Sequence, residues 1–200
     1  MNSNHTYYAS IPDSEFIRGK VPMTKEEIRQ ISIGKMKLTK DAVVYDVGSG
    51  TGSVAVTIAG ISDQIQVYAI ERKPEAVDLI RQNCEKFGRR NVEIVEAEAP
   101  EGLSELPAPT HAFIGGSGGH LQEILTSLYQ KNPAMQVVIN AVSMETMQEC
   151  MAIENHTQEY QVTDYSLVQV GVTRVREIGA HHMLQGENPV WICTFRFRQI

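Results

Sequence analysis

The chain has 200 residues, enough for one domain with a full core, and its 42% apolar and 21% charged content is ordinary for a globular protein. A net charge of -6 argues against a general nucleic-acid binder, which would carry a basic face. No apolar run approaches a membrane span and residues 1–10 are polar, so neither signal peptide nor anchor is expected, and a cytoplasmic location is.

Residues 1–23 read as an N-terminal arm and 24–200 as a single domain. Thr24, with Glu27 three residues on, has the pattern of a capping box opening a helix whose apolar face runs through Ile28, Ile31 and Met36. The run Val43-Val44-Tyr45-Asp46-Val47 reads as a strand, and Gly48-Ser49-Gly50-Thr51-Gly52 turns it into a helix near Val54. Further strands are expected at roughly 66–70, 92–96, 111–115 and 135–140, with helices between them. Pro74 sits in the first turn of one such helix, whose apolar face is Ala76, Val77, Ile80, Cys84 and Phe87. After a helix at about 144–155 the pattern changes. Tyr160 to Val170 alternates like an antiparallel strand, and Val190 to Phe197 reads as its partner. A connection containing Gly179, His181, His182 and Gly186 joins them. The fold expected is α/β and doubly wound: a mostly parallel, seven-stranded, Rossmann-like sheet with a C-terminal antiparallel hairpin. Cys84, Cys150 and Cys193 match no zinc spacing, so reduced buried thiols and no metal site are expected.

The glycine loop is the most informative feature. A strand must turn sharply into a helix there, and a ligand must lie against bare backbone. A dinucleotide fingerprint would want Gly or Ala at position 53, where this chain has Ser53. The tighter Asp-x-Gly-x-Gly-x-Gly spacing resembles the first motif of class I S-adenosylmethionine (AdoMet) methyltransferases. The resemblance implies that AdoMet lies along the loop, its methionine carboxylate received by loop N–H groups at a helix N-terminus. Glu71 closes the next strand, where a nucleotide-binding βαβ unit places an acid on the ribose hydroxyls. A plain glycine turn and a solvated acid would not explain loop, strand, acid and helix arriving in order.

Four more segments narrow the reading. They are Ile11-Pro12-Asp13-Ser14-Glu15-Phe16 with Pro22 to Arg29; Glu96-Ala97-Glu98-Ala99-Pro100-Glu101; Phe113-Ile114-Gly115-Gly116-Ser117-Gly118-Gly119; and Val138-Ile139-Asn140-Ala141-Val142 with Asn188-Pro189-Val190. Most lie at carboxyl ends of strands, where an open α/β sheet binds its ligands. Together they resemble the decarboxylating precorrin methyltransferases of cobalamin biosynthesis, from Ile11 to Phe197, with Gly-Gly-Ser-Gly-Gly the most specific element. The resemblance implies methyl transfer from AdoMet to a bridging carbon of a precorrin or cobalt-precorrin macrocycle, with loss of carbon dioxide from a neighbouring acetate side chain. It also implies a homotetramer, and leaves open a companion precorrin methyltransferase for another ring carbon. Carried across by residue, it implies cofactor contacts at Thr24, Gly48, Ser49, Gly50, Thr51, Gly52, Glu71 and Ala99. That family often opens its fourth strand with Asp; here His111 stands there, away from the ligand edge.

Carbon methylation of an enamine-like macrocycle needs alignment and a dry pocket more than a nucleophilic side chain. Decarboxylation needs an electron sink, which a protonated ring imine provides. Ser117 as a donor, His120 as a proton donor and Asn140 as an orienting group are the candidate catalytic residues; His120 reads equally as a solvated helix start. Gly115, Gly116, Gly118 and Gly119 would admit the flat macrocycle against backbone, or form only a tight turn. Arg174 and Arg176, two apart on one strand face, suit substrate carboxylates, although a solvated face or subunit contact reads the same. Two rival readings remain: an AdoMet methyltransferase for RNA, protein or another small molecule, and a non-catalytic AdoMet- or tetrapyrrole-binding protein. The glycines after the fourth strand, in place of a Pro-Pro-Tyr-like segment, speak against the first. No nucleic-acid or membrane partner is expected.

Overall fold

A computed structural model describes residues 10–155 and 160–199, so the first nine residues of the expected arm lie outside the described residues. In chain order the elements are α1 (Glu26–Met36), β1 (Val43–Val47), α2 (Ser53–Ala59), β2 (Gln66–Glu71), α3 (Pro74–Lys86), β3 (Val92–Glu96), β4 (His111–Ile114), α4 (Leu121–Lys131), β5 (Gln136–Ala141), α5 (Met144–Ala152), β6 (Gln161–Val170), β7 (Thr173–Ile178), β8 (His181–Gly186) and β9 (Val190–Arg198). The main sheet has the order β3-β2-β1-β4-β5-β9-β6. Strands β1 to β5 run parallel, and β9 lies antiparallel to both β5 and β6.

The inner strands are apolar on both sides because both faces are covered. Alternation along them separates two cores. Tyr45, Val47, Tyr68, Ile70, Val137 and Ile139 face α4 and α5. Val44, Val67, Ala69, Phe113 and Val138 face α1, α2 and α3. Helix α2, Ser-Val-Ala-Val-Thr-Ile-Ala, is buried at every position, which is why it reads as apolar all round.

Three details differ from the sequence reading. Helix α1 begins at Glu26 with Lys25 as N-cap and no side-chain cap, so the Thr24 capping box does not form. The reason is Arg29, which is fully buried and must satisfy its donors. Its Nη1 reaches the Thr24 carbonyl (2.7 Å) and Asp13 (3.1 Å), its Nη2 reaches the Ile11 carbonyl, and it stacks over the Phe16 ring at 4.8 Å. The guanidinium thereby holds residues 11–24 against α1 and draws Thr24 out of the helix. Second, the buried stripe of α1 is Ile28, Arg29, Ser32, Ile33 and Met36, whereas Ile31 is exposed. Third, the connection between β6 and β9 is itself a hairpin. Strands β7 and β8 pair only with each other, turning at Gly179 (φ +62), and Val175, Ile178, Met183 and Leu184 on them are exposed.

Candidate active site

The order in which strands are added reverses between β1 and β4, and the crevice beyond their carboxyl ends is the ligand position of such sheets. Both strands end there in glycine. A Cβ placed on Gly48 (φ +70) would lie 2.5 Å from the Gly116 carbonyl oxygen and 2.8 Å from its nitrogen, so the two loops meet backbone to backbone. A Cβ on Gly116 would meet nothing within 4 Å. Bare backbone therefore faces an open cleft of about 370 Å³, the size of a small-molecule site.

The β1 loop is pinned from beneath. Gly48 and Ser49 N–H groups donate to the Ile70 carbonyl (3.0 and 3.1 Å), Gly52 N–H to the Ser49 carbonyl (2.9 Å), and Gly50 N–H to Glu71 (3.0 Å). Four of the five loop amides expected to receive a carboxylate are thus already occupied. Asp46 supports the same turn: its Oδ2 accepts from Ser49 Oγ (2.6 Å) and Ala55 N–H (3.0 Å), while Oδ1 has no partner among the described residues. Burial pushes this carboxyl up to about 7, with the charge of Glu71 adding to the effect against the two hydrogen bonds.

Glu71 is only 9% exposed, deeper than a residue at an open cleft. Its Oε1 accepts from the N–H groups of Arg72 (2.9 Å) and Lys73 (3.0 Å), and its Oε2 from Gly50. Oε1 thus has both lone pairs engaged, while Oε2 retains one for a ligand hydroxyl. Ala99 and Glu98 stand beside it, and Glu98 pairs with Arg72. Thr24 lines the opposite wall with Val21, Pro22, Met23 and Lys25, brought there by Arg29; the Pro22 carbonyl lies 3.1 Å from where a Gly50 Cβ would sit.

On the far side of β4, Gly115, Gly116, Ser117 and Gly118 line the cleft, as do Asn140 at the end of β5 and the exposed Val142. Asn140 Oδ1 accepts from the buried Ser32 Oγ (2.9 Å), and Nδ2 has no partner among the described residues. Thr51, Gly52, Gly119, His120, Arg174 and Arg176 do not line it. Gly52 (φ +76) caps α2 against Ile80, and His120 is the exposed N-cap of α4. Arg174 reaches Glu187 through Nε and Glu27 through Nη2, both at 2.7 Å, which raises its already high pKa. Arg176 is exposed on β7. Partial burial notwithstanding, Glu27 is held below the usual carboxylate range by its own backbone N–H and by Arg174. His111 begins β4 at the end away from the cleft, held at Thr110, and burial lowers its pKa. Among the described residues no Cys or His lines the cleft, and no cluster suited to a metal ion occurs.

The roles of Asp46, Arg29 and Ser32 escaped the sequence reading. Ser32 and Arg29 do carry a signal, since both are polar at positions the helical period assigns to the core.

Comparison with known proteins places this geometry. The family described as "Precorrin methyltransferase domain" matches residues 15–196. A Sulfolobus acidocaldarius protein named "Probable cobalt-precorrin-6B C(15)-methyltransferase (decarboxylating)" is 40% identical over 187 residues, covering 91% of this chain and 94% of the relative. The Salmonella typhimurium "Cobalt-precorrin-6B C(15)-methyltransferase (decarboxylating)" is 32% identical, covering 90% and 92%. The crystal structure of "Precorrin-6y C5,15-methyltransferase" from Geobacter metallireducens superposes with a TM-score of 0.85 at 36% identity, covering 94% of this chain and 98% of that one.

Proposed function

The chain belongs to the precorrin methyltransferase family, and from that premise we propose that it methylates C15 of cobalt-precorrin-6B with AdoMet and removes carbon dioxide from the neighbouring acetate. The observation that carries the reading is the contact between the Gly48 and Gly116 loops, which leaves bare backbone beside the nucleotide-type acid Glu71.

The residues present fit AdoMet. Glu71 keeps a lone pair on Oε2 for a ribose hydroxyl, Ala99 offers a flat wall, and bare backbone at Gly48 and Gly50 admits the cofactor's amino-acid end. With four of the five loop amides engaged, the methionine carboxylate draws on the Thr24 hydroxyl as a donor. AdoMet, when bound, supplies an electrophilic methyl group on a sulfonium. The protein's task is alignment and exclusion of water, worth roughly 7–11 kcal/mol in well-oriented reactions. Gly116 admits the macrocycle face to backbone, and Ser117 and Asn140 orient its edge. The electron pair released with carbon dioxide passes into the ring's own conjugated imine, and a low-polarity cleft around the scissile carboxylate favours its loss.

The working unit in this reading is a homotetramer, supported by the uncovered apolar residues of the β7–β8 hairpin, and a companion methyltransferase modifies another ring carbon. A cytoplasmic location belongs to the same reading. It is supported by three unpaired, buried cysteines and by the lack, among the described residues, of a helix long and apolar enough to cross a membrane. The test is transfer of label from methyl-labelled AdoMet to cobalt-precorrin-6B, with RNA and protein acceptors in parallel. Label in the tetrapyrrole alone supports the proposal, and label in RNA or protein alone overturns it.

A further inference from the structure

A tetrapyrrole with many carboxylates needs a cation at the substrate end of the cleft. The two arginines that the sequence suggested do not line it, and Arg174 is held between Glu27 and Glu187. Three cations do line it: Lys25, Arg72 and Lys73. Arg72 is paired with Glu98, and both Arg72 and Lys73 follow β2 on the Glu71 side. Lys25 is different. It is half-buried, it makes no ion pair among the described residues, and it stands at the N-terminus of α1, whose buried Ser32 meets Asn140 at the end of β5. Glu27, two residues on, is bridged by Arg174 to Glu187 just before β9, and β9 stands beyond β5 from the β1 loop and Glu71.

The surroundings of Lys25 explain Arg174. Glu187 lines the same cleft, and Glu27 lies two residues from Lys25. Left uncompensated, these carboxylates would capture the ammonium or repel an anionic substrate. Two ion pairs of 2.7 Å to Arg174 occupy both of them. We infer that Lys25 grips a peripheral carboxylate of the tetrapyrrole, and that Arg174 acts as a positioning residue that keeps Lys25 available by occupying Glu27 and Glu187. The inference rests on the proposed function, because the ligand is that substrate. A single charge-assisted contact of this kind is made equally in ground and transition states, so its loss appears in KM before kcat.

The experiment compares wild type, Lys25→Met, Lys25→Arg, Arg174→Met and the Lys25→Met/Arg174→Met double variant. Measured quantities are AdoMet Kd by calorimetry, and KM and kcat for cobalt-precorrin-6B at low and high salt. Lys25→Met should raise KM roughly tenfold or more, the scale of one lost charge-assisted hydrogen bond, with kcat and AdoMet Kd nearly unchanged. Lys25→Arg should restore most of the loss. Salt should raise the wild-type KM more steeply than that of Lys25→Met, since screening removes what the variant already lacks. Arg174→Met should also raise KM, and the double variant should be little worse than Lys25→Met, because Arg174 acts through Lys25. Unchanged KM in a folded Lys25→Met protein overturns the inference while leaving the proposed function standing. A loss confined to AdoMet Kd also overturns it, by assigning Lys25 to the methionine carboxylate. Fully additive effects of the two variants overturn the role given to Arg174. A wild-type enzyme that neither binds nor converts cobalt-precorrin-6B removes the proposed function and the inference with it.

Discussion

Two glycines facing each other across the switch point should respond in opposite ways to the same change. Gly48 has φ +70, where a side chain costs about 1–2 kcal/mol, and its added Cβ would sit 2.5 Å from a backbone oxygen that no rotamer change can move. Overpacking of that kind costs typically about 1–3 kcal/mol more. Gly48→Ala should therefore lose about 2–5 kcal/mol, and at about 2–4 °C per kcal/mol for a chain of this size the midpoint should fall by roughly 4–20 °C. Gly116 lies outside the left-handed region and its Cβ points into open space. Gly116→Ala should hold or raise the midpoint slightly, since restricting the unfolded chain contributes about 0.4–1 kcal/mol. Gly116→Val should keep its fold and its AdoMet affinity while losing methylation of the macrocycle, because the added methyls fill the face-to-backbone space. Gly118 (φ +62) is a poorer probe, since any side chain there is strained regardless of the substrate. Thermal melts, AdoMet calorimetry and turnover on the three variants check the argument. A Gly116→Val protein as unstable as Gly48→Ala, or one with full turnover, would refute it.

Three other variants test separate parts of the site. Glu71→Ala should weaken AdoMet binding by about 1.5–3 kcal/mol and also lower the melting midpoint, because three backbone N–H groups lose their acceptor; calorimetry beside a melt distinguishes a ligand contact from a purely structural anchor. Asp46 is raised in the fold to about 7 from about 3.9 unfolded, so the folded state binds its proton more tightly and this carboxyl's contribution to stability falls as pH rises through that window. The midpoint of Asp46→Asn relative to wild type should accordingly climb between about pH 4 and 7, and a flat difference would count against a buried, costly carboxylate. Arg29→Met should cost about 3–5 kcal/mol and weaken AdoMet as well, since the guanidinium holds the Thr24 wall; a melt matching wild type would deny it that role.

Much of the fold was legible because its sheet is buried on both faces. Uninterrupted apolar runs ending in Asp46, Glu71 and the Gly115 loop marked strands whose carboxyl ends gather ligands, and β1 to β5 form where those runs stand. The β7–β8 hairpin was not legible, because strand alternation records a face buried within the chain. With Val175, Ile178, Met183 and Leu184 all exposed, no such face exists there. Thr24 was misread as a cap because local propensity competes with tertiary demand, and a buried guanidinium outweighs one hydroxyl cap. The engagement of the loop amides was equally hidden: Ile70 and Glu71 lie some twenty residues away, and only the β1–β2 register shows that they reach the loop first. Arg174 illustrates the same limit, since its partner Glu27 is 147 residues distant.

The most direct test of the central claim is the mass of the product formed from cobalt-precorrin-6B and AdoMet by the purified protein. The account predicts a macrocycle that has gained one methyl group at C15 and lost one carbon dioxide, with one S-adenosylhomocysteine released per turnover. An unmodified macrocycle from protein that binds AdoMet, or a methyl group placed anywhere but on the ring, would contradict it.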